Sequence, residues 1–303
     1  MVWDNSVDLV EKYLEILDEK YKWEATTAIL DADDQLVQDT QVAKTILLPK
    51  MEIDGLGDYS RNGGFEKGGV DVSWQSHTFT QDRGRQFNID RFDNIETLEV
   101  AFGQAAEQFM RTQVVPEIDA YRFSTMAALA DNIVDADLSA SDVLDAIDEG
   151  QVVMDDDEVP MEGRVLYVSP STFKKMKQSD ALDRNLDTAG QDSVETRYYE
   201  YDGMTVIKVP KTRFVTEIDL LSGGDSEEAG GYEVADEALD INFMIVHPTA
   251  VLGLTKHANM RIFDPETNQL ADGWLFDYRI YHDLFVPDNK TPGVYVHTEE
   301  DNA

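Results

Sequence analysis

Between two strand-like stretches lies GLGDYSRNGGFEKGG, Gly55 to Gly69, with six glycines in fifteen residues. Glycine at this density opens left-handed backbone conformations at little steric cost, so the segment predicts a turn-rich, mobile tip and neither a helix nor a strand. On its N-terminal side, ILLP at Ile46–Pro49 begins a strand. On its C-terminal side Val70, Val72 and Trp74 alternate with polar residues, as do Phe87 and Ile89 further on. The reading is a long β-hairpin from Lys44 to Asp90 with a flexible end.

The strongest helical pattern follows it. Ile95, Leu98, Phe102, Ala105 and Phe109 recur every three or four residues, and Glu96 and Glu99 suit the N-terminal end of the helix dipole. Pro116 interrupts the pattern, and Ile118, Tyr121, Met126 and Leu129 resume it to about Asp131. The expectation is one long helix with a kink or short break at Pro116. Ahead of the hairpin, Val7, Leu9, Val10, Tyr13, Leu14, Leu17 and Tyr21 predict a short amphipathic helix over 7–22. Ile29 to Val42 is acidic with little period and reads as an extended arm.

In the second half, Ser141 is expected to cap a short helix (Val143, Leu144, Ile147) that stops at Gly150. Val165–Val168 reads as a strand and Ser171 as the start of a helix, STFKKMKQ. Tyr201–Val209 reads as a hairpin-type turn entering a strand, and Ser222–Gly231 as a loop. Ile241–Val246 is a compact buried strand, Trp274–Phe285 alternates as another, and the tail after Pro287 is expected to be short and edge-like. Helices and strands mix without a regular βαβ alternation, which makes the class α+β.

Composition narrows the chemistry. With no cysteine, thiolate metal sites, disulfides and cysteine nucleophiles are excluded. No stretch approaches the roughly 20 apolar residues that span a bilayer, and Met1–Lys22 lacks the basic start and apolar centre of a signal peptide. A soluble protein without a membrane role is expected. The 61 acids against 25 bases give a formal charge of −36, so the chain gains nothing from counterion release on DNA and is not expected to read nucleic-acid sequence. Solubility with self-repulsion between copies accounts for the acidity, as does adaptation to a salty cytoplasm, since Asp outnumbers Glu and Lys is scarce.

Enzyme motifs are missing. His77, His247, His257, His282 and His297 are scattered without metal-ligand spacing, and there is no GxSxG, Walker loop or GxGxxG. GGFEKGG lacks the GK[ST] of a phosphate loop. The acid runs Asp31–Asp34 and Met154–Glu158 lack the calcium-loop pattern and read as solvated charge. Ser169 and Ser171 around Pro170 are better explained by a helix cap than by a nucleophile. The aromatic run Trp274, Phe276, Tyr278, Tyr281 and Phe285 suits a strand with one core face better than a ligand pocket. No catalytic residue, cofactor or metal is expected.

The order of these segments resembles the Hong Kong 97 fold of tailed-virus major capsid proteins. YSRNGGFEKGGV and DRGRQFNIDRFDNIET look like that family's hairpin, the E-loop, and its return to the spine helix. VVPEIDAYRFSTMA looks like the middle of the spine helix, LYVSPSTFKKMK like a strand–helix step of the axial domain, and INFMIVHPTAV and DGWLFDYRIYHDLFV like the closing strands. The resemblance implies an N-terminal arm over 1–42, an E-loop over 43–92 and a peripheral domain with the spine helix over 93–135. It further implies a mainly axial domain over 136–240, then return strands and a tail over 241–303. An encapsulin-type compartment shell shares the fold and stands as the alternative.

What the resemblance implies is association: pentamers and hexamers closing an icosahedral virion head, assembled in the host cytoplasm, that holds double-stranded DNA without reading it. The family's type member carries a scaffolding domain ahead of the arm and none stands here. A separate scaffolding protein, or one already removed, is therefore implied, together with a portal. The hairpin would lie over an adjacent subunit, with Arg61, Phe65, Lys67, Trp74, Arg83 and Arg85 as intersubunit residues, because a base beside a loop suits a neighbour's carboxylate in so acidic a chain. Lys67 also stands where some relatives carry a crosslinking lysine, but no spacing identifies an Asn or Glu partner.

Overall fold

The computed structural model describes residues 25–32, 38–39, 45–61, 63–90, 106–179, 187–188, 199–224, 229–269 and 271–300. The expected helix over 7–22 and the start of the long helix, Ile95 to Ala105, lie outside these residues. In chain order the first strands are β1 (Gln38–Asp39), β2 (Thr45–Ile53), β3 (Val70–Thr78) and β4 (Gln81–Asp90). Helix α1 (Val115–Leu129), β5 (Asn132–Asp135), α2 (Val143–Asp156), β6 (Val165–Val168) and α3 (Pro170–Gln178) follow. Then come β7 (Asp187–Thr188), β8 (Tyr199–Tyr201), β9 (Met204–Lys208), β10 (Ile218–Leu221) and β11 (Gly231–Val234). The last strands are β12 (Ile241–Val246), β13 (Leu252–Phe263), β14 (Gly273–Phe285) and β15 (Val294–Thr298).

A seven-stranded mixed sheet, in the order β5-β15-β12-β6-β9-β8-β7, forms the centre. Its inner strands β6, β12 and β15 are buried at every position, as the apolar runs VLYV and, Asn242 apart, INFMIV require of strands covered on both faces. Alternation divides those side chains between two cores. Leu166, Val168, Phe243 and Ile245 face α2 and α3, while Tyr167, Met244 and Val246 meet Phe123 and Met126 of α1. Helix α3 begins at Ser169, whose Oγ accepts the Thr172 N–H, so the expected cap sits there.

Three expectations are corrected. Helix α2 does not stop at Gly150 but runs on to Asp156. The glycine is there for packing, since a Cβ at that position would stand 2.8 Å from Tyr295 Cε1. The tail after Pro287 is not an edge: β15 lies inside the sheet, parallel to β5 and antiparallel to β12. The arm is not simply extended, because Ala28–Leu30 forms a 3₁₀ turn that seats Leu30 in the main core.

The helix ahead of Pro116 neither breaks nor stays α. Met110–Val114 is a π-helical turn in which the Val115 N–H reaches back to the Met110 carbonyl. That wider turn accommodates a proline that an α-helical ladder would reject. The joined helix then bridges two cores. Met110, Val114 and Ile118 pack on Phe276, Tyr278 and Ile280 of β14, and Phe123 and Met126 pack on the central sheet.

One buried side chain links this packing to pH. His282 on β14 is 2% exposed, edge-on to Tyr121 at 5.6 Å, and its Nδ1 has no hydrogen-bond partner. Burial, reinforced by the positive charges of Arg122 and Arg83, pushes its pKa from 6.5 down to about 3. The unfolded chain therefore binds this proton first. Stability is unaffected by it above pH 6.5 and falls as pH drops from 6.5 toward 3, by about 2 kcal/mol at pH 5. Urea titrations at pH 7 and pH 5 should show His282→Gln losing less stability than wild type by about that amount, and equal losses would refute it.

Candidate functional site

Strand β2 pairs antiparallel with β3 from Thr45↔Thr78 out to Ile53↔Val70. The hairpin is thus narrower than the Lys44–Asp90 span expected. After two linking residues, Phe79 and Thr80, strand β4 leaves it and pairs instead with β14, from Gln81↔His282 to Asp90↔Gly273.

The root of the hairpin is fixed at those linking residues. Ile46, Leu48 and Phe79 are buried against Leu254 and Phe285. The buried Asp283 carboxylate accepts from Thr80 N at 2.7 Å, Thr80 Oγ1 at 3.0 Å and Tyr121 Oη at 2.6 Å. Gln75 Nε2 donates to Asp288 Oδ2 at 2.5 Å. These contacts tie the root to the helix and to β14.

Beyond the root the apolar residues change sides. Residues directly opposite in an antiparallel pair share a face, and the register pairs Pro49 with Trp74, Met51 with Val72 and Ile53 with Val70. One face of the distal ribbon is therefore wholly uncharged, while the other carries Lys50, Glu52, Asp71 and Ser73. The buried Ile46 and Leu48 belong to the second face, so the chain's own core takes that face at the root and leaves the first uncovered. Of the fifteen large hydrophobics exposed among the described residues, eight lie on this hairpin, including Met51, Ile53, Leu56, Tyr59, Val70 and Val72. A concentration of this kind marks an interaction surface, whereas single exposed apolar residues do not.

The tip is closed by its own bonds. Asp54 N–H donates to the Gly69 carbonyl, and Gly69 N–H to Asp54 Oδ2 at 2.6 Å. Ser60 and Gly64 exchange backbone bonds at 3.0 and 2.7 Å, with Gly64 at φ +83°. Tyr59 and Phe65 meet edge to face at 4.9 Å, leaving Phe65 87% exposed.

The six expected residues fall into two groups. Arg61, Phe65, Lys67 and Trp74 are exposed on the hairpin. Arg83 and Arg85 lie on β4, outside it. Arg83 is turned into its own chain: Nε and Nη2 donate to Glu117 at 2.7 and 3.3 Å, Nη1 to the Leu221 carbonyl at 2.8 Å, and Nη2 to that of Gly231 at 3.0 Å. Arg85 Nη1 lies 3.5 Å from the Gly223 carbonyl, in space a Cβ at Gly223 would take. The residues that sequence reasoning missed are Met51, Ile53, Leu56 and Tyr59, although the odd–even spacing of Met51 and Ile53 was there to be read.

On β14, Phe276 packs on Phe87 and Phe109, Tyr278 on Phe109, and Tyr281 and Phe285 on Phe79, and Ser169 is a helix cap. Among the described residues no group of three His, Cys, Asp or Glu is placed to hold a metal ion, and no helix is long and apolar enough to cross a membrane.

No protein-family model matches the chain, and no curated protein matches it significantly. Solved structures do. The head structure of Helicobacter pylori bacteriophage KHP40 has a TM-score of 0.61 at 10% identity, over 91% of this chain and 90% of that one. The capsid of cyanophage P-SCSP1u has a TM-score of 0.58 at 13% identity, over 88% and 86% of the two chains. The mature capsid of bacteriophage PhiM1 has a TM-score of 0.54 at 12% identity, over 87% and 84%. At such identities the fold is what is shared. This chain has the fold of phage capsid proteins, nearly end to end.

Proposed function

We propose that this chain is the major capsid protein of a tailed double-stranded DNA virus, with the arm, E-loop, spine helix, peripheral and axial domains of the Hong Kong 97 type. On this reading the domain limits are those of the sequence: 1–42, 43–92, 93–135, 136–240 and 241–303. The observation that carries it is the uncovered apolar face of the distal hairpin, on a chain whose fold is that of phage capsid proteins. Copies assemble as pentamers and hexamers into a closed head, with a separate scaffolding protein and a portal. Arg61, Phe65, Lys67 and Trp74 make contacts to a neighbouring copy, and Arg83 and Arg85 border them.

The formal charge of −36 works against any such assembly. Four of the arginines already counted in it, Arg83, Arg122, Arg164 and Arg213, are held by acids of their own chain and so are not offered to a neighbour's carboxylates. Salt shortens the screening length from about 30 Å at 0.01 M to about 3 Å at 1 M, so like-charged copies meet more readily as salt rises. The same acidity keeps the wall from gripping packaged DNA, which needs bases placed against phosphates.

The test is negative-stain microscopy of the purified protein across that salt range, with scaffold co-expressed where needed. Uniform closed shells whose yield rises with salt are expected. A monodisperse monomer at every salt, with and without scaffold, would remove the reading.

A further inference from the structure

The chain has no cysteine, so the sulfur that an oxidant can reach is that of methionine. Nine of the ten methionines lie among the described residues. Seven of these are at most 9% exposed and sit in the cores, whereas Met51 is 59% and Met161 67% exposed. The two stand in different surroundings. Met161 is on the loop between α2 and β6, beside exposed Glu162. Met51 is on β2, opposite Val72 and between the pairs Pro49–Trp74 and Ile53–Val70, in the middle of the uncharged ribbon face. Of those neighbouring side chains, only the Trp74 indole carries a hydrogen-bond donor.

A thioether suits such a face, being apolar and able to adapt its shape to whatever covers it. Its sulfoxide does not, because the new oxygen is a strong acceptor that must shed most of its hydration when another surface closes over it. We propose that Met51 is a site of oxidative modification, at which a hydroperoxide blocks association between copies. The Met51 Sδ lone pair attacks one peroxide oxygen. The O–O bond breaks as the S–O bond forms, and water, or an alcohol from an organic peroxide, leaves with the proton. Sulfur gives up the electron pair that the peroxide gains, so no further reactant is needed, and a methionine sulfoxide reductase reverses the change. The inference rests on the shell reading above. It adds that free subunits are sensitive to the oxidant and closed shells, where the same sulfur is covered, are not.

The experiment treats the full chain with hydrogen peroxide at low salt, quenches it, and then raises the salt to assemble. Mass spectrometry of peptides reads the oxygen gained at each methionine, and light scattering reads assembly. With Met51 oxidised, wild type is expected to need about tenfold more protein to assemble, and treatment with methionine sulfoxide reductase should restore it. Met51→Leu should assemble with or without peroxide, while Met161→Leu should lose as much as wild type. Met51→Gln, which carries a fixed polar group, should reproduce the loss with no oxidant present. Peroxide added to finished shells should leave Met51 unmodified. Wild type that assembles at an unchanged concentration with Met51 oxidised would overturn the proposal and leave the shell reading standing. Equal loss in treated Met51→Leu would do the same, by placing the damage at another residue. Untreated wild type that forms no shell at any salt, with and without scaffold, overturns both.

Discussion

Trp74→Glu should abolish shell assembly while leaving the subunit folded. Trp74 sits at the centre of the uncharged ribbon face, opposite Pro49 and two residues from Val72. It is 51% exposed in the single chain, so replacing it disturbs little internal packing and should shift unfolding free energy by no more than about 0.5 kcal/mol. At an interface the residue has another weight. A large aromatic buried in a contact contributes about 2 kcal/mol or more, and a carboxylate in its place adds the cost of an unpaired buried charge. A single contact weakened by that much loses affinity about 30-fold. A closed shell repeats the contact at every subunit, so the concentration needed for assembly should rise beyond practical reach. Trp74→Phe should assemble nearly as wild type does. Ser73→Glu, on the charged face, should have little effect. Light scattering against protein concentration, beside a thermal melt, makes the comparison. A Trp74→Glu variant that assembles at the wild-type concentration would show that this face is not the contact surface.

That surface was half legible in the residues. Val70, Val72 and Trp74 alternate plainly, and the glycines between Gly55 and Gly69 mark the tip. Which residues of β2 join them on one face depends on the register, and the register depends on how the tip closes. The Asp54–Gly69 bonds that close it follow from no propensity. The same limit applies to Arg83, whose partners Glu117, Leu221 and Gly231 lie 34, 138 and 148 residues away. Local chemistry was readable where it decides the structure alone. Asp202 and Gly203, at φ +45° and +76°, make the tight turn between β8 and β9 that YDG suggests. Gly150 misled because glycine has two uses, ending a helix and letting a helix approach a neighbour, and only the position of Tyr295 tells them apart. β15 was missed because its five residues follow a proline–glycine turn near the end of the chain, where its neighbours β5 and β12 are remote in sequence.

Asp119→Ala should destabilise the subunit by about 3–5 kcal/mol, the largest single effect expected on folding. Asp119 and Arg122 lie three residues apart on α1, and both are fully buried. The carboxylate accepts from Thr26 N and Oγ1 at 3.1 and 2.8 Å and from Thr27 N and Oγ1 at 3.2 and 2.6 Å. It also accepts from Arg213 Nη1 at 3.3 Å. Arg122 donates to the Thr27 carbonyl at 3.2 Å and to Asp31 Oδ1 at 2.6 Å. Together they clamp Thr26 to Asp31 onto the helix that carries the hairpin root. Alanine removes the buried negative charge that Arg213 meets, and strands the two threonine N–H groups and their hydroxyls. Asn keeps the shape and one acceptor, so it should cost less than Ala. Loss of the clamp should also admit protease. Urea unfolding should show the drop in stability, and brief proteolysis should cut Asp119→Ala within 25–32 while sparing wild type. A loss under about 1 kcal/mol would mean that water replaces the carboxylate and that Leu30, seated in the main core, holds the arm by itself.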